Sequence, residues 1–403
     1  MPSSPILPWQ DTHNPEYRIA KGWRMLMYLL LPPLLVLCLA LPFILLKGEN
    51  PSLVGAVILV GMCLFFAAVI LYALFDTIKG RFIIGLREIS QVGAFKTKTL
   101  GLNEILGYRL DDKYIYINPK ENYLPTIKIS VSIERHLEII QWLDGHYPDL
   151  DRTETEQATA ALLADDALGA TPEARAAALA RAQQVAWGLN IIGGLTGAWL
   201  LLYPTPYNWA VAAGLLLPAL TIAALWLLPN TLRIDEQKNS GYPSALVGFL
   251  APSMALLIRA LFDYEIVSYA QLWPVVGKVA AGVAVLLAIG SRIFLFRQGA
   301  PTRTILAVLL LVALYGYSAA SMVNTVYDEG EPTAFTPHVT SKHISSGKTT
   351  TYHLTLDAWG PMAAGKDVQV SREYYQLVQP GQPVTVALSP GRLGVPWFMV
   401  LEE

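Results

Sequence analysis

"TKTLGLNEILGYRLDDKYIYINPK", residues 97–120, is polar and alternating, yet it lies between stretches of chain apolar enough to cross a membrane. Within it "EILGYRL" and "KYIYINP" read as strands, and "RLDDKY" between them reads as a hairpin turn with Asp at its corner. A soluble β element set between hydrophobic runs decides the class. The chain is a polytopic α-helical membrane protein that carries folded domains outside the bilayer.

The totals agree. Of 403 residues, 53% are hydrophobic and only 15% charged, where a soluble chain carries about 25% charged residues. Spanning a hydrocarbon core takes about 20 apolar residues. Seven runs meet that measure, at roughly 25–46, 53–75, 185–203, 208–228, 244–263, 273–291 and 304–324. The first follows a 1–24 segment containing Asp11 and Glu16, too long and too acidic for a cleaved signal, so it is expected to be retained. Lys and Arg fall in alternate loops. Arg18, Lys21 and Arg24 precede span one, Lys79, Arg81 and Arg87 follow span two, and Arg175 and Arg181 precede span three. Arg233 and Lys238 lie between spans four and five, and Arg292, Arg297 and Arg303 between six and seven. The other short loops hold only Lys47. The positive-inside rule then predicts a cytoplasmic N-terminus and an outer C-terminus, as in a bacterial inner-membrane protein. Pro32, Pro33 and Pro42 are expected to bend or interrupt span one. The "GGLTG" at 193–197 permits close helix approach, within the chain or in a dimer.

The cytoplasmic insert changes period along its length. "RFIIGL", "EISQVGAF" and "TIKISVS" add further strands. "SIERHLEIIQWLDG" then turns helical, with Ser132 expected as its cap and Gly145 as its stop. Over about 79–147, the "GL…E" openings of strands, "LNEILGYRL", "IKIS" and the closing "LEIIQWL" helix resemble the bacterial pleckstrin-homology-like domains attached to membrane helices. That resemblance implies a roll of strands capped by a helix, serving protein–protein or headgroup contacts. Lys96, Lys98, Arg109 and Lys113 either face anionic lipid or form an ordinary solvated face diluted by Glu88, Glu104, Asp111 and Asp112. Residues 151–184 read as a helical elbow, broken at Gly169 and restarted by Thr171 as N-cap with Pro172 at the first position.

Residues 327–403 are again β-patterned, through "HVTSKHIS", "TTTYHLTLDAWG", "KDVQVS", "QPVTVALSPG" and "VPWFMVLEE", and predict a small outer barrel or sandwich. "SSGK" at 345–348 reads as a hairpin turn with Gly347 at its tip. On a regular strand His338 and His343 point to opposite faces, so no metal site is expected there.

Ionisable groups near the membrane are the default functional candidates. Arg259 stands one turn before Asp263, and Lys278 lies in the next span on the outer side. With Asn324 these four residues outline a polar outer-leaflet pocket for an anionic headgroup or solute. The other reading is that Arg259 and Lys278 reach to the interface beside acidic neighbours. No catalytic constellation is found: no span contains a histidine to serve Ser318, no span pairs carboxylates, and no nucleotide-binding motif occurs. No cofactor or metal is implied. The net charge of −2 offers no basic face for nucleic acid. Two soluble modules on opposite faces of nearly charge-free helices predict a non-enzymatic scaffold, sensor or assembly protein. Its expected partners are membrane lipids and a protein on the cytoplasmic or periplasmic face. The alternative is a transporter or channel for a lipid or amphiphilic anion.

Overall fold

The computed structural model describes residues 15–45, 53–297, 300–346 and 350–402. Asp11, Lys47, the turn glycine Gly347 and the Arg297 side chain lie outside the described residues. The chain forms two compact units, Met1–Gln157 and Ala158–Glu403.

In the first unit, α1 (Lys21–Leu45) and α2 (Leu53–Lys79) are long and apolar enough to cross a membrane. They pack on one another. Pro32, Pro33 and Pro42 do not interrupt α1, which runs continuously through all three. The strand preceding this helix pair and the strand following it are neighbours. β1 (Glu16–Arg18) pairs antiparallel with β2 (Arg81–Ile84), and β3 (Glu88–Val92) and β4 (Thr97–Gly101) complete a sheet in the order β1-β2-β3-β4. A second sheet holds β5 (Ile105–Leu110), β6 (Tyr114–Pro119) and β7 (Ile127–Ser130). Asp111 closes the β5–β6 hairpin, accepting hydrogen bonds from Lys113 N–H at 2.7 Å and Tyr114 N–H at 2.6 Å. The helix α3 (His136–His146) packs on both sheets over one core that includes Tyr17, Phe82, Ile115, Ile127, Ile139 and Leu143.

Two expectations shift here for one reason. The N-terminal segment is part of the β region, and Ser132 does not cap α3. Ala20 N–H donates to Ser132 O and Glu134 N–H to Arg18 O, with a bridge between Ile19 and Ile133. This pairing ties 132–134 into a turn against the N-terminal segment, so the helix begins at His136 and runs through Gly145. Arg109 also differs from its lipid-facing reading, because its guanidinium pairs with Asp151 and Glu154 of α4 (Leu150–Ala164).

The second unit begins within α4. Thr171 Oγ1 accepts from Ala174 N–H and caps α5 (Pro172–Leu202), so the second helix of the elbow and span three are one helix of 31 residues. Then follow α6 (Tyr207–Leu227), α7 (Leu246–Phe262), α8 (Tyr269–Gly290) and α9 (Thr302–Val326). Counting both units, six helices among the described residues are long and apolar enough to cross a membrane. The segment expected as the fifth span is the shorter α7, whose 17 residues extend about 25 Å. It crosses α5 at very short range: a Cβ added to Gly193 would lie 2.6 Å from Gly248 Cα, and one on Gly197 3.1 Å from Ala251 O. The "GGLTG" glycines at 193 and 197 therefore serve packing inside the chain.

The bundle's connections gather at two ends. At one, Arg233 is bidentate to Asp235, both bonds 2.9 Å, while its guanidinium lies 4.4 Å from the Phe294 ring centroid and Asp235 is 3.5 Å from Thr304 Oγ1. At the other, Tyr207 donates to Asp263 and Tyr327 to Asn208 O.

The C-terminal residues form two packed sheets. One is β10 (Val339–Ser346), β11 (Thr350–Leu356) and β12 (Lys366–Val370). The other runs β8-β14-β13-β9, where β9 is Thr333–Phe335, β13 is Thr385–Ser389 and β14 is Trp397–Leu401. Its edge strand β8 (Glu265–Ile266) comes from the α7–α8 connection. All five predicted stretches form strands, and the sheet extends into the helical bundle. Ile266, Leu272, Val276 and Ala320 share a buried cluster with Val395 and Trp397.

Candidate functional site

The four residues expected to outline an outer pocket fall into three separate settings. Arg259 and Asp263 do meet, at 3.4 Å. What surrounds them is main chain. α5 ends at Leu202, leaving its last carbonyls without intrahelical donors. Residue 204 is Pro and has no N–H to offer the Leu200 carbonyl. Arg259 supplies the missing donors, with Nε 2.8 Å from Leu200 O and a terminal nitrogen 3.2 Å from Leu201 O. Asp263, the C-cap of α7, fixes the guanidinium from the other side and accepts from Tyr207 Oη at 2.7 Å.

The start of α7, against the middle of α5, mirrors this arrangement. α7 starts without a side-chain cap of its own. Asn190 of α5 provides one: its Oδ1 accepts from Gly248 N–H at 2.9 Å and its Nδ2 donates to Ser244 O at 2.8 Å. Each helix thus caps an end of the other. Asn190 was not singled out in the sequence, because the groups it serves are backbone atoms that leave no mark on composition, and Tyr207 reads there only as an aromatic of the interfacial belt.

Asn324 belongs to a second cluster. It is fully buried at the end of α9 and brackets the loop 391–395. Its Oδ1 accepts from Leu393 N–H at 3.0 Å and Val395 N–H at 3.4 Å, its Nδ2 donates to Val395 O at 2.8 Å, and its carbonyl accepts from Arg392 N–H. One turn on, Asp328 accepts from Gly391 N–H at 2.8 Å, Trp397 Nε1–H at 2.9 Å and Gly330 N–H at 3.0 Å. Burial works to raise the Asp328 carboxyl. The three donated hydrogen bonds and the Arg392 charge outweigh it and hold the group below the ordinary carboxylate value. Gly391 takes φ +80°, and a Cβ there would strike Val395 O at 2.2 Å and the Asn324 amide.

Lys278 is the third setting. It is exposed on α8, with no hydrogen bond or ion pair to Arg259, Asp263 or Asn324. The structure therefore brings together one pair of the four, and spends that pair on helix ends.

Of the histidines, His343 and His353 face each other across β10 and β11 with rings stacked at 5.1 Å. A register shift between Val339 and Ser341 breaks the strand regularity by which His338 was compared with His343. The His338 ring lies 3.6 Å from Asp357 instead. Among the described residues no group of three or more metal-ligating side chains occurs. Ser318 Oγ donates to Tyr315 O within α9. The chain matches no family model, no curated protein and no solved structure in the comparisons made.

Proposed function

We propose that this chain is a non-enzymatic scaffold, sensor or assembly protein of a bacterial inner membrane, with partners bound by its two β regions and membrane lipids around its helices. One observation carries the reading. Each β region takes a strand from a segment that runs directly into a helix: β1 enters α1, and β8 lies between α7 and α8. A partner that displaces either sheet therefore acts on helices through the main chain, with no flexible joint between.

The finer topology belongs to the same proposal. We take α7 as a seventh crossing. It runs between the bundle end that holds Arg233–Asp235 and the end that holds Tyr207–Asp263, as its neighbours do. Its 17 residues meet the lower limit of about 17 for a span. Seven crossings with Lys and Arg in alternate loops give a cytoplasmic N-terminus and a periplasmic C-terminus. The strand roll and closing helix of the first unit are read as a pleckstrin-homology-like module. Transport through the Arg259–Lys278 region has less support, since the donors of Arg259 are taken up by Leu200 O, Leu201 O and Asp263.

The test is to crosslink cells expressing the tagged full chain, purify it gently, and identify proteins and lipids from the same sample. A near-stoichiometric protein, crosslinked to residues of one β region, is the expected result. Movement of a solute into liposomes by the purified chain alone would sink the scaffold reading.

A further inference from the structure

A cleft of about 570 Å³ opens in the first unit where the two helices meet the sheets. Its floor and one side come from helix ends: Trp23 and Met27 in the first turns of α1, and Asp76 in the last turn of α2. The opposite side is sheet, with Arg81 on β2 and Lys128 on β7. The wall thus passes from the membrane-facing surface of a helix to the polar surface of a β region. Trp23, half exposed at this level, is the side chain that favours the zone between hydrocarbon and water.

The charges in this cleft are unevenly matched. Arg81 lies directly across from Arg18 in the β1–β2 register, and the two share one carboxylate, Glu16, at 3.6 and 3.5 Å. Arg81 Nε is buried with no acceptor. Lys128 forms no ion pair among the described residues; its ammonium rests 3.6 Å from the Tyr114 ring centroid. The one carboxylate in the lining, Asp76, accepts from Ala94 N–H at 3.0 Å. Gln91 locks the wall by donating to Lys128 O at 2.6 Å. Glu16 offsets Arg81, and Asp111 acts on Lys128 from outside the cleft. In the lining itself, Lys128 and Arg81 stand against the single hydrogen-bonded carboxylate of Asp76, which places positive charge beside an apolar surface. That combination suits a ligand with an anionic head and an apolar tail.

We propose that this cleft binds an anionic phospholipid of the adjoining leaflet, its phosphate between Lys128 and Arg81 and its upper chain along Trp23 and Met27. The lysines and Arg109 considered from the sequence do not gather here. Lys98 donates to Thr126 O and Arg109 is paired with α4, while Lys128 and Arg81 come together only through the fold.

The experiment uses the full chain in phosphatidylcholine nanodiscs containing a minor share of phosphatidylglycerol, with retained lipid read by native mass spectrometry after release. Wild type is expected to retain phosphatidylglycerol in preference to phosphatidylcholine. Lys128→Gln should lower that preference about fivefold, the effect of one cation at a membrane surface, and Lys128→Arg should keep most of it. Lys113→Gln, which removes an exposed charge outside the cleft, should change nothing. Equal losses in Lys113→Gln and Lys128→Gln would overturn the site in favour of general surface charge. Displacement of the retained lipid by soluble glycerol phosphate would overturn the lipid assignment in favour of a free phosphate compound.

Discussion

The two units solve the same problem, a β region held against membrane helices, with different materials. In the first, α1 has none of its most apolar window buried within the chain and α2 only 17%, against 56% for α9 in the second. The first pair of helices therefore finds little cover within the chain, and its β region is joined to it by main-chain pairing: β1 with β2, and Ala20 with Ser132. The second unit packs helix on helix and secures its sheets with side chains, the buried Asn324 and the partly exposed Asp328. Main-chain pairing tolerates substitution of the side chains along it. A bracket made from one buried amide does not.

The contrast is most exposed at glycines. Gly193→Leu should be the most damaging change, because its Cβ would arrive 2.6 Å from Gly248 Cα where α5 and α7 cross. Forcing the helices apart also pulls Asn190 from Gly248 N–H and Arg259 from Leu200 O, for a loss of about 3 kcal/mol or more. Gly61→Leu on α2 meets nothing within 4 Å and should stay within about 0.5 kcal/mol of wild type. Thermal unfolding in nanodiscs, followed by tryptophan fluorescence, separates the two; equal losses would break the comparison. Asn324→Ala comes next. It strands the Leu393 and Val395 main-chain groups, at about 1–3 kcal/mol for each buried group left unpaired. Limited proteolysis should cut within 390–396 faster in this variant while leaving 15–157 as protected as in wild type.

How much of this was legible depended on whether a feature repeats along the sequence. Apolar runs and period-two strands repeat, so the helices and the five C-terminal strands expected from the sequence could be read from residues alone. β1 and β8 are three and two residues long and show no period; they exist because their neighbours offer a sheet edge. α3 starts late because tertiary pairing at 132–134 overrides the Ser132 cap. Arg259 and Asn324 were visible as costly polar residues, but their partners are backbone atoms of distant segments. A polar residue near a span end looks the same in sequence whether it awaits a ligand or closes a helix. Of the cleft cations, Lys128 was legible only as a polar position of a strand and Arg81 as one of the cations following span two. What sets Lys128 and Arg81 beside Trp23 is the folding of two sheets onto the helix ends.

The smallest predicted effect tests the two kinds of attachment directly. Asp328 is held below the ordinary carboxylate value in the folded chain, so folding favours its charged form. A group depressed in this way contributes stability above its unfolded value, about pH 4, and that contribution fades as the pH falls toward the folded value. The bracket around Gly391 and Trp397 should therefore weaken in acid by about 1 kcal/mol or less. The one carboxylate of the β1–β2 pairing, Glu16, meets only the side chains of Arg18 and Arg81, at 3.5 and 3.6 Å, while the strands are joined main chain to main chain, so the pairing should hold. Hydrogen exchange at about pH 5 and about pH 3 should show faster exchange at Gly391 and the Trp397 indole, with the amides of 81–84 changing only by the intrinsic pH dependence. Asp328→Asn should flatten the acid response. If acid instead opens 81–84 as readily as 391–397, the second attachment is no more side-chain-dependent than the first, and the distinction between the two units fails.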